Sequence, residues 1–367
     1  MAVNFFDITR QNSELKDKLS IAISNVINSG RYILGQVVSD LEKEFAKYCG
    51  TKHAVGVASG TDAIHLALRA AGIKTGDEII TSPFTFVATI EAIVYCGATP
   101  VFADIEPKTF NIDVSKIEGK LSNKTKAILP VHLYGLAAEM DKIMAIAKKH
   151  NLKVIEDCAQ AAGAEFQGKK VGSFGLGAFS FFPTKNLGCF GDGGMITTDS
   201  EEIVKELLAL RNHGCHQTYH HEEIGFNSRL DALQAAVLKV KLPLLENYLF
   251  SRRENAKQYV EALKEIKEIS LPEEPQGTKH TYNQFTIRIE DRDALHKYLQ
   301  DRNIPSMVYY PISLHLQEAY QFMGYKPGDM PESEAAQNQV LSLPIFPELE
   351  QKEIAEICAA IKKFYNK

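Results

Sequence analysis

A single lysine stands where an apolar run of the sequence meets a glycine-rich run. In the stretch GAFSFFPTKNLGCFGDGG (177–194), Lys185 follows three phenylalanines and precedes four glycines. A lysine amine in a poorly solvated site has a lowered pKa and forms Schiff bases with carbonyl groups. Because most lysines at strand ends are simply solvated, a chemical role for Lys185 requires partner groups at the same place.

A carboxylate lies 28 residues before this lysine. Asp157 ends the apolar segment LKVIED (152–157), which is predicted to be a buried strand. A carboxylate at such a position is costly unless it has a cationic or strongly donating partner. A protonated pyridine nitrogen would be such a partner, and a salt bridge to a neighbouring lysine or arginine is the alternative.

The segment SGTDA (59–63) is predicted to open a helix directly after a strand. Gly60 permits the close approach of a ligand, and the start of a helix binds anions through free backbone N–H groups. The residues expected to supply these groups are Thr61, Asp62 and Ala63. The alternative is an ordinary helix cap by Ser59 or Thr61.

An anion site, a carboxylate and an amine together match one cofactor. Pyridoxal 5′-phosphate (PLP) forms a Schiff base with a lysine, and its pyridinium nitrogen pairs with a carboxylate. The three segments therefore predict a PLP site, provided that the fold brings them together.

Apolar strands and amphipathic helices alternate from about residue 50 to about residue 200. The predicted strands are residues 53–59, 77–82, 99–105, 126–135, 152–159, 178–183 and 193–198. This alternation predicts an α/β fold with a mainly parallel seven-stranded sheet covered on both faces. In such sheets ligands bind outside the carboxyl ends of the strands, where Lys185 and Asp157 fall.

The character of the chain changes after Arg229. A long amphipathic helical stretch, interrupted near Pro243, is followed by a helix between the apolar segments YNQFTIRI (282–289) and SMVYYP (306–311). These features predict two domains. The predicted domains are a large PLP-binding α/β domain (1–245) and a small C-terminal α+β domain (246–367).

The composition argues against a nucleic-acid-binding, a membrane-spanning or a secreted protein. The 367 residues carry a net charge of −5, which argues against a nucleic-acid partner. No apolar run is long enough to span a membrane, and the N-terminal residues lack the pattern of a secretory signal. Six scattered cysteines are typical of reduced thiols, so a cytoplasmic location is expected.

Five motifs together resemble the DegT/DnrJ/EryC1/StrS family of PLP-dependent nucleotide-sugar aminotransferases. They are SGTDA, TSPFTFVATIEAI, EDCAQAAGA, FSFFPTKNLGCFGDGGMITT and GFNSRLDALQAAVL. The similarity runs from about residue 4 to the C-terminus. It implies the aspartate aminotransferase-like architecture (PLP fold type I) and a homodimer with shared active sites. It also implies L-glutamate as the amino donor, with the cofactor alternating between PLP and its aminated form, PMP.

The resemblance also assigns roles to individual residues. Lys185 and Asp157 would be catalytic, with Asp157 at the pyridinium nitrogen, and Phe86 would stack on the cofactor face. The implied cofactor contacts are Gly60, Thr61, Asp62, Phe86, Asp157, Gln160, Ser180, Lys185 and Asn227 of the partner subunit. For Phe86, core packing is the alternative.

The segment TYHHEEIGFNSRLDALQAA resembles members of the family that aminate C3 of a hexose. Members that aminate C4 more often have NYR where this chain has NSR (227–229). The expected acceptor is therefore a 3-keto sugar linked to UDP or dTDP, and the product an amino sugar for a polysaccharide or glycoside. The implied substrate contacts are Gly30, Tyr32, Thr184, Arg229, Tyr309, Tyr310 and His315. Tyr309 stands where the family's H-Y-P motif has histidine, which leaves this contact open; for Arg229, a structural ion pair is the alternative.

Three other functions stay open on the sequence alone: amination at C4, a PLP-dependent sugar dehydratase and a sensor that only binds. Dehydratases of the family replace the cofactor lysine by histidine, and this chain has Lys185. No metal site is expected, because HHEEIG (220–225) has Gly225 where the zinc motif H-E-x-x-H needs its second histidine.

Overall fold

The structure is a computed structural model and describes residues 3–217 and 219–366. The helices are α1 (Ile8–Ser29), α2 (Gln36–Cys49), α3 (Gly60–Ala70), α4 (Ala88–Tyr95), α5 (Met140–His150), α6 (Glu201–Leu210), α7 (Ala232–Lys241), α8 (Leu245–Leu263), α9 (Arg292–Gln300), α10 (Pro331–Gln339) and α11 (Gln351–Phe364). The strands are β1 (His53–Val57), β2 (Glu78–Thr81), β3 (Thr99–Phe102), β4 (Thr125–Leu129), β5 (Lys153–Asp157), β6 (Glu165–Phe166), β7 (Lys169–Lys170), β8 (Leu176–Ser180), β9 (Gly194–Thr198), β10 (Cys215–Gln217), β11 (His220–His221), β12 (Thr278–Lys279), β13 (Phe285–Arg288) and β14 (Val340–Leu343).

The central sheet has seven strands in the order β1-β9-β8-β5-β4-β2-β3. Only β9 runs antiparallel to its neighbours, so the other six strands point the same way. The predicted mainly parallel seven-stranded sheet is thereby confirmed, and each of the seven predicted segments overlaps one of these strands.

Both faces of this sheet are covered because successive side chains of each strand point to opposite sides. In β5, Val154 joins one buried apolar cluster with α2, α5 and α7, whereas Ile155 joins a second cluster with α3, α4 and α6. Such double burial explains why the strands are apolar runs rather than alternating patterns.

The direction of the strands gathers several chain segments at one edge of the sheet. Asp157 ends β5 and pairs with Ala178 of β8, and Ser180 at the end of β8 pairs with Gly194 at the start of β9. Val57 of β1 pairs with the same Gly194 on its other side. The segments predicted to do chemistry therefore leave the sheet side by side.

The C-terminal part has its own apolar cluster around the two-stranded sheet of β13 and β14, packed by α8, α9 and α11. Val3 also lies in this cluster, so the first described residue packs on the last third of the chain. Helix α8 begins at Leu245, next to the predicted boundary, and the division into domains at this residue stays a prediction. The apolar segment 306–311 forms an isolated bridge between Met307 and Ser342.

Within the described ranges, no helix has both the length and the apolar character that crossing a bilayer demands. The six cysteines are all free thiols.

Candidate active site

Asp157 is buried at the carboxyl end of β5. Its Oδ2 accepts a hydrogen bond from the Thr89 hydroxyl at 2.8 Å, and its Oδ1 accepts one from the backbone N–H of Ala159 at 3.1 Å. Burial raises the pKa of Asp157, and these two bonds and the charge of Lys185 oppose the rise. Among the described residues, no cationic group lies within 4 Å of this carboxylate, so the salt bridge weighed as an alternative is not formed.

Glu156, the preceding residue, points to the opposite face of the sheet and is fully buried. Its carboxylate accepts hydrogen bonds from the N–H groups of Gly172, Phe174 and Gly175 at 2.8–2.9 Å. It also pairs with Nε2 of the buried His132 at 3.1 Å. A carboxylate saturated in this way fixes the end of β5, and therefore the backbone from which Asp157 projects.

His132, Glu156 and Cys158 have ligand atoms within 4.8 Å of one another, a spacing that could hold a metal ion. However, His132 Nδ1 accepts a hydrogen bond from the N–H of Ala138 at 3.0 Å, and its Nε2 faces Glu156. Burial raises the pKa of the Cys158 thiol well above its usual value, which disfavours the thiolate that binds metals. The cluster is thus explained by hydrogen bonding within the chain.

Glu156→Gln is expected to lower the free energy of unfolding by about 2–4 kcal/mol, because an amide cannot accept all of these bonds and presents buried N–H groups to donors. Urea unfolding followed by circular dichroism measures the change. The control Glu118→Gln removes an exposed ion-paired carboxylate and should change the free energy of unfolding far less. Equal losses in the two variants would contradict this role for Glu156.

Lys185 lies in the loop between β8 and β9, and its backbone N–H donates to the carbonyl of Phe182 at 2.9 Å. Its side-chain amine has no hydrogen bond or ion pair with any described residue. Burial lowers the pKa of Lys185, and the charge of Asp157 partly restores it. The amine is therefore more nucleophilic at neutral pH than an ordinary lysine, and it is electrostatically coupled to Asp157.

The turn between β1 and α3 lies against the end of β8. A Cβ atom placed on Gly60 would lie only 2.6 Å from Cβ of Ser180, so this close approach requires glycine. In the described part of the chain, the N–H groups of Gly60 and Thr61 have no acceptor. Together with the Ser180 hydroxyl, they form a polar recess that could hold an anion at a helix start.

Two N–H groups predicted to be free are already used. The Ser59 side chain caps α3 by accepting from the N–H of Asp62 at 3.1 Å, and the Ser59 carbonyl accepts from the N–H of Ala63 at 3.0 Å. The Asp62 carboxylate accepts a hydrogen bond from the hydroxyl of Ser228 at 2.9 Å. The prediction that these two N–H groups are free was wrong, because Ser59, the helix cap given as the alternative, binds both of them.

An aromatic and amide wall faces the same edge of the sheet. The ring of Phe86 is 54% exposed and its centroid lies 6.2 Å from that of Tyr310. The Gln160 amide donates to the Tyr310 hydroxyl at 2.9 Å and accepts from the N–H of Tyr134 at 2.7 Å. Such exposure of a phenylalanine disfavours the core-packing alternative and leaves its face open to a flat ligand.

Several residues predicted to contact substrate also lie near this edge. Thr184 is exposed next to Lys185, and Tyr309 precedes Tyr310 with its carbonyl accepting a hydrogen bond from the Tyr134 hydroxyl. Arg229 donates to the Asn212 side chain at 2.7 Å and has no carboxylate within 4 Å among the described residues. The Arg229 guanidinium therefore does not form the structural ion pair that the sequence left as an alternative.

Other predicted residues are not brought to Lys185 within the single chain. Gly30 caps α1, and Tyr32 is exposed in a segment that pairs with Asp231 through Ile33. Asn227 is also exposed. His315 is 1% exposed, and its Nε2 donates to the Glu334 carboxylate at 3.0 Å. For His315, the structure offers no open surface to a ligand.

Thr89 is a site residue that the sequence analysis did not single out. It is fully buried on α4, where most neighbours are apolar, and its hydroxyl contacts both Thr85 and Asp157. A lone hydroxyl on the buried side of an apolar helix is the signal that could have identified it.

The residues at this edge fit the predicted cofactor. The Gly60–Thr61 recess suits a phosphate, and the exposed face of Phe86 suits a planar ring. Within the described ranges, Asp157 is a buried carboxylate without a cation, which a protonated ring nitrogen would supply, and Lys185 is an unpaired amine.

Comparison with known proteins agrees with this geometry. A model of the DegT/DnrJ/EryC1/StrS aminotransferase family matches residues 13–362. The chain belongs to this family.

Two relatives of the DegT/DnrJ/EryC1/StrS family align with nearly the whole chain. A pleiotropic regulatory protein of Geobacillus stearothermophilus is 47% identical over 100% of this chain and 99% of its own. The UDP-N-acetyl-3-dehydro-alpha-D-glucosamine 3-aminotransferase of Acidithiobacillus ferrooxidans is 46% identical over 99% of this chain and 98% of its own.

Solved structures of similar proteins have the same fold. DesV of Streptomyces venezuelae, solved in complex with a ketimine intermediate, has a TM-score of 0.98 and 41% identity, over 100% of this chain and 99% of its own. NtdA of Bacillus subtilis, solved with bound cofactor PMP, has a TM-score of 0.93 and 32% identity, over 100% of this chain and 86% of its own. The fold is therefore the one that the DegT/DnrJ/EryC1/StrS resemblance predicted.

Proposed function

We propose that this protein is a PLP-dependent nucleotide-sugar aminotransferase. It moves the amino group of L-glutamate to the C3 keto group of a UDP- or dTDP-linked sugar, and the amino sugar formed serves polysaccharide or glycoside biosynthesis. The observation that carries the proposal lies among the described residues: a buried carboxylate without a cation, Asp157, and an amine without a partner, Lys185, lie beside an anion recess.

The cofactor, when bound, supplies a carbonyl that links covalently to amines and a protonated ring that accepts the electron pair of a carbanion. Asp157 would keep the ring nitrogen protonated, since a buried carboxylate is costly without a positive partner. Gly60, Thr61 and Ser180 would hold the phosphate, Phe86 would lie on the ring face, and Gln160 would contact the ring.

Lys185 would act twice. Its amine would hold the cofactor when no donor is bound. Once free, its Nζ would take the proton from the α-carbon of glutamate and pass it to the C4′ carbon of the cofactor. In the second half of the reaction, Nζ would move a proton in the opposite direction, from C4′ to C3 of the sugar, whose keto oxygen leaves as water as C3 gains the amine. The lowered pKa of Lys185 suits it to both steps, because a neutral amine is needed to accept the proton.

The choice of C3 rests on the NSR sequence at 227–229 and on the relatives. The Acidithiobacillus relative is named as a 3-aminotransferase of a UDP-linked 3-dehydro sugar, and a dTDP-3-amino-3,4,6-trideoxy-alpha-D-glucose transaminase of Streptomyces venezuelae is 42% identical. Arg229, whose guanidinium contacts the Asn212 side chain, would grip the diphosphate or a sugar carboxylate. Thr184, Tyr309 and Tyr310 would line the sugar side.

We further propose that the enzyme is a cytoplasmic homodimer with shared active sites. Asn227 and Tyr32 are exposed in the single chain, as residues that reach into a partner's site would be. Asn227 of the partner subunit would then help to hold the phosphate, and the segment around Gly30 would contact the nucleotide sugar.

Mixing two inactive variants tests this sharing. Lys185→Ala and Asn227→Ala subunits, each impaired alone, are expected to recover about a quarter of wild-type activity when unfolded together and refolded, because half of the dimers then contain one intact site. Activity of the mixture is compared with that of each variant refolded alone. An unshared site would give no recovery above the sum of the two.

The absorption spectrum of the purified protein, recorded before and after adding L-glutamate, tests the function itself. We expect a visible cofactor band that L-glutamate bleaches, and then formation of the amino sugar when UDP- or dTDP-linked 3-keto sugars are added. Product from 4-keto sugars alone would instead establish amination at C4. A cofactor band that does not respond to glutamate would favour a dehydratase or a sensor. The sensor is included because the Geobacillus relative is named as a regulatory protein.

A further inference from the structure

A second lysine is buried behind the loop that carries Lys185. Lys241 is the last residue of α7 and is only 1% exposed. Its Nζ donates to the carbonyl of Gly188 at 3.0 Å and lies 5.0 Å from the centroid of the Phe190 ring. No carboxylate of a described residue lies within 4 Å of it. The amine of Lys241 therefore contacts the loop that follows Lys185.

That loop is bound to α7 at two points. The Gln234 side chain accepts from the N–H of Phe190 at 2.8 Å, while Lys241 donates to Gly188. Gln234 and Lys241 are seven residues apart, two turns of helix, so they project from the same side of α7. One face of a single helix thus fixes a carbonyl and an N–H group of the same short loop.

At Gly188, this loop packs closely against the residues that precede Lys185. A Cβ atom there would lie 2.4 Å from the carbonyl oxygen of Pro183, so the residues before and after Lys185 are in close contact. A displacement of Gly188 is therefore transmitted to the turn from Phe182 to Lys185, whose N–H donates to the Phe182 carbonyl. This geometry links the position of the Gly188 carbonyl to the position of the Lys185 backbone.

Burying an ammonium group in this place is costly, and a long apolar side chain would fill the same space without that cost. Burial lowers the pKa of Lys241 to about 8, with the nearby Cys189 and Glu348 opposing the shift. The group still carries most of its charge at neutral pH, where a charged donor makes a stronger hydrogen bond to a carbonyl than a neutral one. The charge of Lys241 therefore strengthens the hydrogen bond to the Gly188 carbonyl.

We propose that Lys241 is a positioning residue, which fixes the loop 186–190 and thereby the place of Lys185 relative to Asp157. The inference rests on the proposed function for the role of Lys185, and its physical part, the hold on the loop, can be measured without cofactor. It concerns a residue that no step of the reaction uses directly.

The test compares Lys241→Met, which removes the donor at similar volume, with Lys241→Arg, which keeps a charged donor. The control is Lys239→Met, two residues earlier on α7, where the lysine pairs with Asp40 and Glu44 near the surface. Amide hydrogen exchange of the cofactor-free proteins is read in peptides covering 186–190. The same proteins, reconstituted with PLP, give kcat and KM for L-glutamate.

In Lys241→Met, we expect exchange in 186–190 to rise about tenfold while the strands β8 and β9 exchange as in the wild type. We expect kcat to fall about tenfold or more with KM for glutamate changed less than about threefold, because a small misplacement of a reacting group lowers the rate more than binding. Lys241→Arg should recover part of the loss, and Lys239→Met should behave as the wild type.

Wild-type exchange in 186–190 with wild-type kcat in Lys241→Met would overturn the inference. A uniform rise of exchange over the whole chain, with a lower unfolding temperature, would reduce Lys241 to a core residue and also overturn it. If Lys241→Met does not fold, Lys241→Gln is compared in the same way. A wild-type protein without a glutamate-sensitive cofactor band would refute the proposed function instead, and the exchange result would stand apart from it.

Discussion

Lys185→Ala is expected to abolish transamination, with a loss of at least about 10³-fold in kcat, because in the proposed mechanism one amine serves as covalent partner and as general acid and base. The fold should persist, since the side-chain amine makes no hydrogen bond with any described residue. Binding of PLP should also persist, through the recess at Gly60 and Thr61 and the carboxylate of Asp157. The covalent link to the protein should be lost.

Three measurements on Lys185→Ala check this expectation. Turnover with glutamate and a 3-keto sugar gives the rate, borohydride reduction followed by mass spectrometry detects a covalent cofactor, and thermal unfolding reports the fold. Lys169→Ala, which removes an exposed lysine of β7, is the control and should match the wild type in all three. Turnover within tenfold of the wild type in Lys185→Ala would refute the central assignment.

Asp157→Asn is expected to lower kcat by about 10²–10³-fold, the range typical of removing one preorganised electrostatic partner. The amide cannot hold a proton on the ring nitrogen by charge. It also leaves the hydroxyl of Thr89 and the N–H of Ala159 without a charged acceptor. The surface variant Asp141→Asn, on the first turn of α5, should keep the wild-type rate.

Asp157→Asn should also shift the pH dependence of PLP attachment to Lys185. The charge of Asp157 raises the pKa of Lys185 against the effect of burial, so Asp157→Asn should lower the pKa of that amine further. In the cofactor-free protein, the rate at which PLP links to Lys185 rises with pH as the amine loses its proton. Stopped-flow absorption should therefore show the midpoint of this rise at lower pH in Asp157→Asn. A midpoint that stays fixed or moves upward would show that the two groups are not coupled as described.

The large features of the site follow from the sequence. Runs of apolar residues located all seven strands of the sheet, and the rule that ligands bind at carboxyl strand ends was enough to select Asp157 and Lys185. The strand predictions succeed because strand burial and strand direction follow from local patterns and from the handedness of strand–helix–strand connections.

Finer features depend on side-chain choices that no local pattern encodes. The sequence offered both a free N–H at Asp62 and a cap by Ser59, and only the orientation of the Ser59 hydroxyl decides for the cap. The segment 306–311 has the apolar residues of a strand, yet β13 takes β14 as its partner and leaves 306–311 with one bridge. Lys241 gave no signal at all, because its role depends on a contact between residues 53 positions apart.

The adjacent carboxylates Glu156 and Asp157 at the end of β5 restrict where relatives can carry insertions and deletions. Glu156 binds the backbone of 172–175 and Asp157 faces the proposed cofactor site only because the pleat sends them to opposite sides. Deleting or inserting one residue within 153–157 would exchange the two roles, leaving a ligand-facing glutamate and a buried aspartate too short for its four donors. We therefore expect insertions and deletions among relatives to be excluded from this strand and tolerated in the exposed turn at Gln167 and Gly168 between β6 and β7.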